Sequence, residues 1–357
     1  MSVYQIMYMD RVPDSAACDE AVKLAVKRRF HGLKGFVNGV LRNVARQKET
    51  FVWPDDSVRY SIPEWILKLW ETKYSLKTIE VMAQSFLKPS KLAVRCNLDR
   101  ASKEQITESL KEQKVRIETS AYSDIILFLS EYDYLEGLHA YTEGWIQVQD
   151  MSSSFVAQAV PLKQGDYVID VCGAPGGKSL HVADRLKGTG QVDVRDLTDQ
   201  KVNLIRENIS RTGFANIHAK VQDALEFDPD SVEKADVLLA DLPCSGLGIM
   251  GKKPDIKVNM TKEKAEDLVK LQRDILSVVW QYVKPGGYLV YSTCTVNPEE
   301  NEENARWFGD HYPFEPVNIE GRLGENLKEE SMKEGFIQLL PGIHPCDGFF
   351  LSVFRRK

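Results

Sequence analysis

From Gly165 to the end of the chain, short apolar runs alternate with helical stretches, and this alternation restricts the possible folds more than any other feature. Strand, crossover helix and strand repeated in that order give a parallel sheet with helices on its faces. The pattern predicts strands at 167–171, 191–194, 217–221, 237–240, 288–292 and 349–354. Ligands of such open sheets bind beyond the C-terminal edges of the strands.

At 357 residues the chain exceeds what one core usually serves, so further domains are expected before the sheet. Ala21, Leu24 and Ala25, then Phe36, Val37, Val40, Leu41 and Val44, recur at helical spacing between 14 and 47, too little apolar surface for a core by itself. The proline-bearing "FVWPDDSVRYSIPEW" reads as a linker, followed by helical stretches near 66–74 and 78–85. "KLAVRCNL" alternates like a strand, "SKEQITESLKEQ" reads as an amphipathic helix capped by Ser102, and "IILFLS" returns to strand. These predict a small α+β domain ending near 147. The expected division is therefore 1–50, 51–147 and 148–357.

Hydrophobic residues at 43% and charged residues at 27% are ordinary for a soluble protein. No apolar run approaches the roughly 18 residues of a membrane span, and the N-terminus lacks the basic-then-apolar order of a signal peptide. A cytoplasmic monomer with no membrane contact is expected. The six cysteines, at 18, 96, 172, 244, 294 and 346, form no C-x-x-C pair, so neither a disulfide framework nor a metal site is suggested. The net charge of -6 argues against indiscriminate nucleic-acid binding. Even so, Lys23, Lys27, Arg28, Arg29, Lys34, Arg42, Arg46 and Lys48 face only Glu20 and Glu49 locally. A solvated helix face and an RNA-binding surface both fit that run.

The first strand of the sheet leads into "DVCGAPGGKS", a glycine-rich turn opening a helix, where Cys172, Gly173, Ala174, Pro175, Gly176, Gly177 and Lys178 can approach a ligand. The turn misses a Walker A loop by one residue and also misses G-x-G-x-x-G. About 20 residues on, Asp196 closes the second strand, where such folds place a carboxylate for ribose hydroxyls. Asp223 is read as ending the third strand, within reach of an adenine amino group. Acids at consecutive strand ends favour an adenosine-type cofactor over helix caps. The fourth strand ends in "DLPCSGLG" and the fifth in "YSTC", so Asp241, Cys244 and Cys294 are expected at one cleft. Taken alone, either thiol would more often be core packing.

The motifs "DVCGAPGGKS", "DLPCSGLG" and "YSTCTVNPEENE", with the ending "LLPGIHPCDGFFLSVFRR", together resemble the RNA cytosine-C5 methyltransferases of the NOL/NOP/Sun family. The N-terminal "LKGFVNGVLRNVAR" region resembles the second half of a NusB-like helical domain, without the first helices and their arginine-rich end, which points to the Sun/RsmB type. The resemblance implies a Rossmann-like sheet, S-adenosyl-L-methionine as cofactor and small-subunit ribosomal RNA as substrate. It also implies that Cys294 attacks C6 of cytosine, that Cys244 assists proton removal and product release, and that Asp241 binds the base edge. Lys178 comes over only as part of the cofactor motif. Gly173 stands where alanine is usual, and Lys252 where arginine is common. Lys252 and Lys253, in the loop after Cys244, are expected along the RNA path unless that loop is simply solvated. A transfer-RNA cytosine-C5 methyltransferase would share every one of these residues, and a non-catalytic RNA-binding module is the reading from another class. An amino-group methyltransferase would want Asn/Asp-Pro-Pro-Tyr/Phe where this chain has "DLPC".

Overall fold

A computed structural model describes all of the chain except residue 325. It divides into two compact units, Met1–Ser61 and Ile62–Lys357.

The first unit is helical: α1 (Ser2–Tyr8), α2 (Asp14–Lys27), α3 (Lys34–Gln47) and the short α4 (Asp56–Tyr60). Its small core is built on Ile6, Ala17, Cys18 and Leu41, with Val37 and Val44 packed against it. Lys23 pairs with Glu20 on the surface, and Lys48 reaches Asp14 at 3.0 Å. Helix α4 lies inside the segment read as a linker. Asp55 makes it possible, since its carboxylate caps the helix by accepting the Val58 N–H at 2.8 Å.

The second unit opens with α5 (Glu64–Glu71) and α6 (Leu76–Ser85). A four-stranded antiparallel sheet comes next, built from β1 (Leu92–Cys96), β2 (Arg116–Thr119), β3 (Ile126–Ser130) and β4 (Ile146–Val148) in the order β2-β3-β1-β4. Helix α7 (Lys103–Glu112) packs on it through Ile106 and Leu110, and Ser102 and Gln105 cap that helix reciprocally. The short α8 (His139–Thr142) leads into β4. Polar contacts pin this lobe to the rest of the unit, several of them at β1 and the turn after it. Buried Arg95 donates to Gln149 at 2.7 Å and lies 3.5 Å from Asp184, while the Asp99 N–H reaches the same Asp184 at 2.8 Å.

The large sheet is entered through α9 (Met151–Ala159). In chain order come β5 (Tyr167–Asp170), α10 (Gly177–Arg185), β6 (Gln191–Asp196), α11 (Asp199–Thr212), β7 (Ile217–Val221) and β8 (Ala235–Asp241). After these stand α12 (Ile256–Asn259), α13 (Lys262–Val279), β9 (Val283–Thr293), α14 (Glu302–His311), β10 (Phe314–Pro316), β11 (Phe336–Leu339) and β12 (Phe349–Arg356). The order is β10-β12-β9-β8-β5-β6-β7, with β11 paired to β12. Strands β5 to β9 run parallel, whereas β12 enters antiparallel beside β9. This is the expected Rossmann-like sheet, with a helical layer on each face.

Side-chain alternation with period two explains the three layers. Val168, Val237, Leu239 and Val290 point into one apolar cluster with Phe155, Leu180 and Ile205 of the helices. Their neighbours Ile169, Leu238, Ala240 and Leu289 point into the other, against Ile275, Leu276 and Val279 of α13. Strand order reverses at β5, whose two neighbours are β6 and β8, and a ligand crevice belongs at that switch.

Candidate active site

The turn after β5 is held by two acids. Buried Asp170 accepts the Ser179 hydroxyl, and burial first of all drives its carboxyl up to about 7. Asp196, at the end of β6, accepts the Ala174 N–H at 3.0 Å and the Leu197 N–H at 2.8 Å, and pairs with Lys201 at 2.9 Å. Gly176, with φ +105°, turns the chain into α10, whose N-terminus carries no side-chain cap. Its free N–H groups and positive dipole end therefore face the crevice. A side chain at Gly173 would come within 2.3 Å of Val194, so glycine lets the turn lie against β6 here.

Asp223 does not end a strand. Strand β7 stops at Val221, the partner of Asp196, and Asp223 instead closes a turn by accepting the Leu225 N–H at 2.9 Å. It stays on the β6 side of the crevice, because the Gln222 N–H bonds to the Asp196 carbonyl. Leu197 and Leu225, flanking the two acids in sequence, are large apolar side chains left exposed. A carboxylate, uncapped helix N–H groups and exposed apolar faces are the donor set that an adenosine-bearing amino acid requires.

Strands β8 and β9 bring the remaining residues together. Asp241 ends β8, accepts the Ser292 hydroxyl at 2.7 Å and pairs with Lys178 at 2.6 Å. Lys178 thus turns from the glycine-rich helix toward the cysteines, its ammonium also 5.5 Å from the Phe349 ring centre. Burial pulls that ammonium down, but Asp241 outweighs it and the group titrates above its ordinary value. The Cys244 and Cys294 sulfurs are 3.2 Å apart. The hydrogen bond from Cys244 lowers the Cys294 thiol, helped by Lys178 and Lys253 against burial and Asp241. Cys244 is correspondingly pushed well up by the same bond, by burial and by Glu300.

Lys252 does not stand free along an RNA path. Its ammonium sits 2.8 Å from both Asp150 and Asp347, bridging the start of α9 to the loop before β12. Burial, with Asp150 next, pushes the Asp347 carboxyl to about 7. The three residues line a groove of ≈ 530 Å³ between the small antiparallel lobe and the large sheet, along with Lys88, Phe128 and Gly248. Gly248 donates its N–H to the Cys294 carbonyl at 3.1 Å, so one wall of the groove is tied to the backbone that carries that cysteine.

Residues 157–355 match the family model described as 16S rRNA methyltransferase RsmB/F. The chain belongs to the RsmB/F methyltransferase family. Residues 1–46 of this family member match the NusB family, and 62–133 the ferredoxin-like domain of RsmF/B-like methyltransferases. A protein of Bacillus subtilis named probable ribosomal RNA small subunit methyltransferase B is 36% identical, over 100% of this chain and 81% of its own. The relative of that name in Synechocystis is 32% identical, over 100% and 82%. A crystal structure titled methyltransferase homolog protein from Pyrococcus horikoshii matches with TM-score 0.73 and 25% identity, over 86% of this chain and 100% of its own. Members of the RsmB/F family depend on S-adenosylmethionine. Among the described residues no helix is long and apolar enough to cross a membrane.

Several residues of this RsmB/F site carry no signature of their own in the sequence. Asp170 and Ser179 flank the glycine turn without being singled out by its spacing. Ser292 precedes Thr293 and Cys294 as an ordinary strand residue, yet orients Asp241. Glu300 is one of three acids in "NPEENE" and alone among them is wholly buried. The alternation of β9 marks Ser292 as opposite in face to its neighbours, which is the one signal that could have found it.

Proposed function

We propose that this chain is an S-adenosylmethionine-dependent cytosine-C5 methyltransferase of small-subunit ribosomal RNA, working through a thiolate adduct at C6 of the base. The observation that carries the reading is the pair of sulfurs 3.2 Å apart at the ends of adjacent strands, beside the Lys178–Asp241 ion pair. The names of the curated relatives support the RNA class.

C5 of cytosine is a poor nucleophile until something adds to C6. The Cys294 thiolate forms the C6–S bond, and the displaced electron pair moves toward N3. Lys178 is an ammonium with three donors, and can donate to N3 as charge grows there, while Asp241 accepts from the exocyclic amino group. Bound S-adenosylmethionine supplies an electrophilic methyl group for C5. Gly176, Gly177 and the start of α10 would hold its charged end, Asp196 its ribose and Asp223 its adenine. Once C5 carries both hydrogen and methyl, Cys294 is a neutral thioether, so the first cause of the raised Cys244 thiol is gone. Cys244 then gives its own proton to solvent more readily, and the resulting thiolate takes the one on C5 as the C5–C6 double bond re-forms and the C6–S bond breaks, returning the Cys294 thiolate. The base must be unstacked to meet both reagents, so the substrate is single-stranded or flipped at that position.

The test is substitution of each cysteine. Cys294→Ala should abolish methylation and form no covalent RNA complex, whereas Cys244→Ala should accumulate a complex that survives denaturing electrophoresis. Reversal of the two outcomes would assign attack to Cys244, and full activity in both variants would sink covalent catalysis. Labelling total RNA and identifying the nucleoside should give 5-methylcytosine in small-subunit ribosomal RNA. Label confined to transfer RNA would refute the substrate assignment.

A further inference from the structure

Two sulfurs in one cleft raise a question that proximity alone does not answer, namely which of them gives up its proton. The surroundings are lopsided. Lys178 stands on the Cys294 side, and Lys253 also favours the Cys294 thiolate. Behind Cys244 lies Glu300, a wholly buried carboxylate six residues after Cys294 in the chain. Its Oε2 accepts the Ser245 N–H at 2.9 Å and the Gln272 amide at 2.9 Å, and its Oε1 accepts the Ser245 hydroxyl and the Asn297 amide at 3.0 Å. Three of these partners are N–H groups that can only donate, and the Ser245 hydroxyl, which also contacts the Thr295 hydroxyl at 2.8 Å, can donate as well. Four such partners favour the ionised form against burial, which by itself raises the carboxyl above its ordinary value. The same Gln272 amide bonds the Pro243 carbonyl at 2.9 Å, so both residues flanking Cys244 are tied into this network.

We propose that Glu300 is a positioning residue that clamps the Cys244 loop onto the Cys294 loop and keeps the proton on Cys244, leaving Cys294 as the sulfur that attacks. A fixed negative charge beside Cys244 penalises the thiolate there, whereas on the far side Asp241 opposes the Cys294 thiolate and Lys178 and Lys253 favour it, so Glu300 tips the pair toward attack by Cys294. Direction of attack is then a property of the buried carboxylate rather than of either thiol. The titratable groups acting on the pair are Asp241 from β8, Lys178 from α10, Lys253 from the loop after Cys244, and Glu300 itself, with Tyr291 from β9 also interacting with Cys244. Only Glu300 combines a negative charge with bonds to the residue beside Cys244. The assignment rests on the proposed function for its meaning, but the location of the proton can be read without RNA or cofactor.

The experiment is alkylation of the full chain by iodoacetamide from pH 6 to 10, with peptide mapping of each cysteine. In the parent, Cys294 should react at lower pH than Cys244. Glu300→Gln should move the Cys244 profile to lower pH, and near neutral pH the Cys294-to-Cys244 ratio should fall by roughly tenfold for each pH unit moved. Ser245→Ala loosens the clamp but keeps the charge, so the parental order should persist. Profiles unchanged in Glu300→Gln would overturn the proposal, as would a shift in Ser245→Ala equal to that in Glu300→Gln. Should Glu300→Gln fail to fold, loss of the order in Ser245→Ala still refutes the role of the charge. An RNA adduct mapped to Cys244 in the parent would defeat the catalytic reading separately, without bearing on the alkylation result.

Discussion

Gly248→Ala tests the geometry on which the whole cleft depends. The Gly248 backbone is held between two strand ends, donating to the Cys294 carbonyl at 3.1 Å and accepting the Gly348 N–H at 2.9 Å. A Cβ at Gly248 would lie 2.1 Å from the Gly348 oxygen, 2.6 Å from its carbonyl carbon and 2.8 Å from the Cys294 oxygen. All three are backbone atoms, so no rotamer change can relieve the clash. Overpacking by one methyl typically costs about 1–3 kcal/mol, and with backbone on both sides the upper end, about 3 kcal/mol, is expected. At about 2.1 cal/mol/K per residue, a unit running from 62 to 357 should melt lower by roughly 5 °C for that cost. Thermal melting monitored by circular dichroism checks the stability, and methylation of RNA checks whether the Cys294 carbonyl has been pushed away from the Cys244 loop. Activity should fall further than the unfolded fraction explains, because relief of the clash moves the two loops apart. A variant that melts within about a degree of the parent and retains full activity would refute the close crossing of the two glycines.

Asp196→Ala removes the anchor of the Ala174 N–H as well as an acceptor for the ribose, so cofactor affinity measured by calorimetry should fall by about 1–3 kcal/mol; unchanged affinity would remove Asp196 from the site. Asp170 titrates near 7 when folded against an ordinary 3.8, so the native state binds the extra proton and its stability falls as pH rises through that window. Asp170→Asn should therefore gain on the parent between pH 4 and pH 8, by up to about 4 kcal/mol, and a pH-independent difference in urea midpoints would contradict this. RNA affinity should fall steeply with salt despite the acidic total, with a log-log slope of roughly -3 if four phosphates of a single strand are contacted. A flat response would make the Lys/Arg run between 23 and 48 ordinary surface.

The sheet was legible because strands buried on both faces write continuous apolar runs, and turns between them write glycine and proline. The placement of Asp196 and Asp241 at strand ends, with Cys244 and Cys294 just beyond, was readable for the same reason. Asp223 was misread because β7 stops two residues before it, and an aspartate capping its own turn looks the same in sequence as one closing a strand. Helix α4 was missed since Pro54 dominates the local text, although Asp55 beside it is the cap. Lys252 shows a different limit. Its two carboxylate partners lie 102 and 95 residues away, and nothing local says that a lysine in a glycine-rich loop is neutralised.

Glu300 shows why the missing part of a site is so often its polarity. In "NPEENE" the three acids share composition and neighbours, yet Glu302 pairs on the surface with Lys73 and Arg306, while Glu300 turns inward to Ser245 and Gln272. Only the packing of α13 against the ends of β8 and β9 decides between them. A motif can place two sulfurs in one cleft, because strand ends are local features. Which sulfur carries the charge depends on a field summed over α10, α13 and two loops, and burial makes each contribution to that field large. Removing charge at Glu300 while leaving both cysteines intact should therefore alter the chemistry of the cleft more than most substitutions among the motif residues that frame it.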